Sequence, residues 1–214
     1  MTTDYERSYS RRQFLGVSVA VPAASVIASI SHTRAQAPKA RATPACGGED
    51  GVLTPSQVEG PYFKPNSPMR ASLLERDMLG TKIKVEGSVL TTDCQPILGA
   101  LLDFWQADDQ GRYDNAGYRL RGHQFTDDAG RYRLETVVPG LYTGRTRHFH
   151  VKVQAPNQPV LTTQLYFPGE PANQRDFIFN PDLVMKVRDV EGGKLADFDF
   201  VLDIRPSRGR PSGT

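Results

Sequence analysis

The chain has 214 residues, 38% of them apolar, with 26 basic and 24 acidic side chains and a net charge of +2. Residues 1–37 hold that surplus (Arg7, Arg11, Arg12 and Arg34 against Asp4 and Glu6), which leaves 22 basic and 22 acidic residues in the remainder. A neutral body gives no electrostatic case for nucleic acid or for an anionic membrane surface, and the length points to one domain.

The first element is a targeting segment. Ser10-Arg11-Arg12-Gln13-Phe14-Leu15 has the form of a twin-arginine export motif, and Phe14 to Ile30 follows without a charge. That run is diluted by Ser, Ala, Gly and Pro22, which makes it a poor membrane span. The signal segment is placed at 1–37, with Ala35-Gln36-Ala37 and Ala40-Arg41-Ala42 as candidate cleavage patterns, and a linker arm follows at 38–52. The expected destination is the periplasm or the exterior. In an oxidising compartment two cysteines read first as a disulfide, here Cys46 with Cys94. Such a bridge would contribute on the order of 3–4 kcal/mol in the loop-closure view.

The body, 53–204, reads as short strands separated by Gly and Pro. Expected strands are Lys82 to Leu90, Ala100 to Ala107, Arg131 to Val138, His148 to Gln154, Leu161 to Phe167 and Phe198 to Ile204. Pro181 to Val187 has room for one or two helical turns. The implied fold is an all-β antiparallel sandwich with long irregular loops. Asp108-Asp109-Gln110-Gly111-Arg112-Tyr113 recurs as Asp127-Asp128-Ala129-Gly130-Arg131-Tyr132, two tight turns with Gly at positive φ and Asp bonding locally. Residues 205–214 form a loose tail rich in Pro, Ser, Gly and Arg.

The stretch richest in chemistry is Arg145-Thr146-Arg147-His148-Phe149-His150-Val151-Lys152-Val153. Alternation along a strand sends Phe149, Val151 and Val153 to the core and turns His148 and His150 together to the opposite face, where two imidazoles can meet one metal ion. The chain has four histidines, His32 and His123 being the others. A three-histidine zinc site would need His123. A two-histidine, one-carboxylate iron(II) site would need Asp103 or Asp108. Trp105 reads as core.

Taken in order, Glu59-Gly60-Pro61-Tyr62-Phe63, Trp105-Gln106-Ala107-Asp108, Gly111-Arg112-Tyr113, Pro139-Gly140-Leu141-Tyr142, Arg145-x-x-His148-Phe149-His150 and Thr163-Gln164-Leu165-Tyr166-Phe167 resemble the intradiol ring-cleavage dioxygenases. That family includes the catechol and protocatechuate dioxygenases, and the resemblance covers about Leu53 to Asp203. It implies a non-haem Fe(III) ion held by Tyr113, Tyr142, His148 and His150, with O2 and a small catechol as substrates and a muconate-type dicarboxylic acid as product. By the same carry-over Tyr142 is the ligand that yields to substrate, Arg145 stabilises charge developing on the ring, and Gln164, Tyr62 and Pro61 lie near the substrate. Many family members have Pro after that arginine, where this chain has Thr146 and then Arg147; register with the histidines favours Arg145. The rival expectations are a non-catalytic β-sandwich binding module and a hydrolase using the histidine pair with another metal.

Overall fold

The computed structural model describes residues 52–204. The segments 1–37 and 205–214, and the linker arm up to residue 51, lie outside the described residues. Nine strands build two sheets: β1 (Lys82–Thr91), β2 (Leu101–Trp105), β3 (Arg121–Phe125), β4 (Arg131–Val137), β5 (His148–Gln154), β6 (Leu161–Tyr166), β7 (Lys186–Val190), β8 (Gly193–Asp197) and β9 (Phe200–Leu202). One sheet runs β4-β1-β8-β7 with β9 also on β1, and the other runs β3-β2-β5-β6. The second is antiparallel throughout, whereas β1 pairs in parallel with β8 and β9.

Both sheets feed one core. Ile83, Val85 and Val89 of β1, Leu134 of β4, Ala196 and Phe200 enter it from the first sheet. Leu102 and Phe104 of β2, Phe149, Val151 and Val153 of β5, and Leu165 of β6 enter it from the second. Each large apolar side chain so buried contributes roughly 1.5–3 kcal/mol. Strand parity then decides the outer face of the second sheet, where Arg121, Trp105, His150 and Gln164 stand in one cross-strand row. An arm follows the β6 edge and then crosses that face, where Phe63 meets Trp105 edge-on. Gln57 N donates to Thr162 O (2.8 Å), Thr163 Oγ1 to Pro55 O (2.7 Å) and Gln164 Nε2 to Val58 O (2.9 Å).

The echoed turns form as expected. Asp108 Oδ1 accepts from the amides of Gln110 and Arg112, and Asp127 Oδ1 from those of Ala129 and Arg131, with Gly111 and Gly130 at φ 83° and 69°. Their tyrosines diverge: Tyr132 is buried in the core and donates to Phe198 O (2.8 Å), while Tyr113 is only partly covered.

Three strands were not anticipated. β3 (Arg-Gly-His-Gln-Phe) has no apolar alternation, and β7 and β8 form a largely exposed hairpin of mixed charge. The last strand is shorter than expected because Phe198 and Asp199 turn back, Phe198 O passing so close to Gly87 that a Cβ there would collide with it. Pro181 to Leu183 makes one 3₁₀ turn, capped by Asn180, whose side chain accepts from Asp182 N (2.9 Å); Lys186 already begins β7. No helix among the described residues is long and apolar enough to cross a membrane. Cys94 is disulfide-bonded in its turn; the expected partner, Cys46, lies outside the described residues.

Candidate metal centre

β5 presents both histidines on the outer face, buried beneath the arm and the loops. His148 Nδ1 lies 2.6 Å from Thr146 O. A carbonyl can only accept, so Nδ1 carries the proton and Nε2 keeps its lone pair. The Nε2 atoms of His148 and His150 are 3.1 Å apart. Two nitrogens each about 2.1 Å from one ion and at right angles to it would be about 3.0 Å apart, so the pair fits adjacent positions on a single metal.

The two phenols arrive from separate loops. Tyr113 follows the Asp108 turn, and its hydroxyl is 3.4 Å from His148 Nε2. Tyr142 follows Gly140, and its ring meets that of Tyr113 edge-on at 5.7 Å. The loops are tied together, since Gly140 N donates to Asp108 O (2.7 Å) and Gly111 lies where a Cβ would strike Leu141 O. Tyr62 completes the group. It stacks on Tyr113 (4.3 Å, 16°), and its hydroxyl is 2.7 Å from that of Tyr142.

Burial, with the Arg145 charge adding to it, pushes His148 down to about 4. His150 is pushed well below its ordinary value by burial, then by His148 and Arg145. Burial drives the Tyr113 phenol upward, against the pull of the Arg145 and Arg121 charges. At neutral pH the imidazoles are therefore neutral and ready to coordinate. The phenols become ligands only for a cation charged enough to displace their protons. The donor set thus fits a hard, highly charged ion such as Fe(III). Among the described residues no group of three or more His, Cys, Asp or Glu gathers as a metal site.

The rival ligands are engaged elsewhere. His123 pairs with Asp103 one row along the sheet, and its Nδ1 donates to Ser67 O (2.7 Å). Asp103 accepts from Ser67 Oγ (2.7 Å), and Asp108 is consumed by its turn and by Arg112.

Of the two arginines, Arg145 belongs to the site. Its Nε donates to Asp176 Oδ2 (2.8 Å) and its Nη2 to Gln164 Oε1 (2.6 Å). Arg147 turns away to Glu170 Oε1 (2.7 Å) and Pro139 O (2.6 Å). Gln164 is fully buried and also accepts from Tyr166 Oη (3.1 Å), so it stands behind Arg145 as an anchor. Pro61 is exposed in the turn before Tyr62. Trp105 is buried as expected, but on the outer face, stacked on His150 at 4.8 Å with 6° between the planes. Parity with Leu102 and Phe104 held that signal. Arg121 is buried on β3, although a lone arginine between Leu120 and Gly122 carries no sign of burial in the sequence.

A family model described as Dioxygenase matches residues 58–205. The chlorocatechol 1,2-dioxygenase of Pseudomonas sp. (strain P51) is 30% identical over 173 residues, 68% of this chain and 69% of that protein. Among solved structures, the dioxygenase domain of a dioxygenase carbohydrate-binding protein fusion from the cellulolytic bacterium Streptomyces sp. SirexAA-E is 56% identical, with a TM-score of 0.71, covering 72% of this chain and 100% of that one. The 3-chlorocatechol 1,2-dioxygenase of Rhodococcus opacus 1CP is 28% identical, with a TM-score of 0.66, covering 70% and 72%.

Proposed function

This chain belongs to the intradiol ring-cleaving dioxygenases, and from that premise we propose that it opens catechols to muconate-type dicarboxylic acids with O2 at a non-haem Fe(III) centre. Tyr113, Tyr142, His148 and His150 would hold the ion. The observation that carries this reading is the convergence of the two Nε2 atoms at 3.1 Å with the Tyr113 hydroxyl 3.4 Å from one of them. Two phenolates and a hydroxide would balance a triply charged ion, so that no charge is stranded in a buried site. Fe(III), when bound, supplies the Lewis acidity that draws both catechol oxygens into their ionised form and makes the electron-rich ring reactive toward O2.

The chain's own residues do the rest. Tyr142 is the ligand suited to release, because the Tyr62 hydroxyl at 2.7 Å gives its oxygen a second partner. As a phenolate it accepts one catechol proton at Oη. Arg145, held by Asp176 and Gln164, is a fixed cation beside the ring, where negative charge builds up during cleavage. His148 is kept in one tautomer and orientation by Thr146 O. Trp105 closes the far side of His150 and excludes water.

The export motif supports a periplasmic or extracellular enzyme, and the cellulolytic source of the 56% identical relative supports a plant-derived aromatic as substrate. The test is oxygen uptake with catechol, protocatechuate, hydroxyquinol and caffeate, coupled to product analysis under labelled O2. The reading requires uptake with at least one of them and both labelled atoms in a ring-opened diacid. A cleavage product that takes its oxygen from water would overturn it.

A further inference from the structure

Arg121 is one of the largest fully buried side chains, 2% exposed, and it is charged. Its Nη1 donates to Tyr62 O (2.6 Å) and its Nη2 to Asp114 O (3.0 Å), while its Nε has no partner. Arg145 and Arg147 each reach a carboxylate, Asp176 and Glu170, whereas no ion pair is formed by Arg121 among the described residues. A guanidinium stays charged in a protein, and burying a cation whose direct contacts are only carbonyls is costly, even with the Asp114 and Asp103 carboxylates acting on it from beyond ion-pair distance. The fold tolerates it at one particular place. Tyr62 is itself a member of the stacked tyrosine pair, and Asp114 immediately follows the other member, Tyr113. Arg121 also stands in the cross-strand row that continues through Trp105 to His150. The anion that the site would add beside it is the metal-bound phenolate of Tyr113, whose charge acts on Arg121 after that of Asp114.

We infer that Arg121 is a positioning residue for ring cleavage. Its guanidinium pins the Tyr62–Tyr113 stack from the sheet side and supplies the fixed positive charge that tempers electron donation from the Tyr113 phenolate to the bound metal. The inference rests on the ferric reading above. It acts through Tyr113, without contact with substrate.

The experiment compares iron(III) titrations of the wild type, Arg121→Gln, Arg121→Met and Arg121→Lys, read by the visible phenolate-to-iron band, with thermal melts as a control for folding. Loss of the charge makes the phenolate a better donor, so the Gln and Met variants should absorb at longer wavelength. Loss of the paired contacts to Tyr62 O and Asp114 O, which position the tyrosine stack, should weaken iron binding ~10–100-fold. Met fills the space without charge if Gln proves unable to fold. Lys keeps the charge but cannot span both carbonyls, so its band should stay near that of the wild type while iron binding is weakened. Uncharged variants that keep the wild-type band overturn the inference, even if their melting temperature falls. A Lys variant with undiminished iron affinity overturns the positioning role. A wild type that stays colourless with iron removes the ferric reading itself and the inference with it.

Discussion

At the scale of single residues, the site depends on groups that are held as much as on groups that coordinate. Arg145 is fixed by Asp176, whose side chain is only 1% exposed, and by Gln164. Arg145→Gln should keep the iron colour, because no proposed ligand is lost, while kcat falls ~10²–10³-fold, as expected when preorganised charge is removed from a site where charge develops. Steady-state oxygen uptake beside the visible spectrum checks this; a variant that loses colour and rate together would make Arg145 structural. The histidines give a pH dependence. His148 is depressed to about 4 in the folded protein, against ~6.5 when unfolded. A base with a lowered pKa contributes stability above its unfolded value and loses it as pH falls through the folded one. The metal-free protein should thus lose on the order of 3 kcal/mol between pH ~6.5 and ~4 from this group. Denaturant melts across that range test it, with His148→Asn expected to flatten the slope. That His148 and His150 share a face was legible from alternation, since Phe149, Val151 and Val153 fix the opposite face by their hydrophobicity, but their joint use on a metal came only from the resemblance. The burial of Arg121 was not legible, because it follows from the arm lying over β3, a contact between segments 59 residues apart.

At the scale of elements, the two tyrosine loops behave as one unit. Gly111 sits at φ 83°, and a Cβ there would run into Leu141 O, one residue before Tyr142. Gly99 has a similar φ of 67° but nothing within 4 Å of a Cβ. Gly99→Ala should cost only the conformational strain, about 1 kcal/mol, and leave iron binding intact. Gly111→Ala should cost at least ~2 kcal/mol and loosen iron, since the Tyr142 loop must move. Melting curves and iron affinity of the two variants separate the cases, and equal behaviour would contradict the coupling. Both turns were readable from their Asp and Gly spacing. Their mutual contact was not, because Gly140 and Leu141 lie about thirty residues further along. The missed strands share a cause: β3, β7 and β8 are specified by pairing with neighbours, and none carries an apolar stripe of its own.

At the scale of the whole molecule, the second sheet separates two tasks. Its inner face joins the core, and its outer face, crossed by the arm, carries the candidate metal centre. The antiparallel body was evident from strand spacing, whereas the parallel pairings of β1 with β8 and β9 depend on a chain return that no local pattern announces. We propose export on the strength of the Arg11-Arg12 motif alone. Replacing Arg11 and Arg12 together with lysine should retain the precursor in the cytoplasm, as read by cell fractionation and immunoblotting; unchanged export would exclude the twin-arginine route.

The central claim is a ferric ion bound by two phenolates and two imidazoles, and titration of the metal-free protein with iron(III) under visible absorption tests it most directly. The account predicts a red-brown band that saturates at one iron per chain, shifts when catechol is added under nitrogen, and disappears when Tyr113 and Tyr142 are both replaced by Phe. A protein that takes up iron without colour, or keeps its full colour in that double variant, would contradict it.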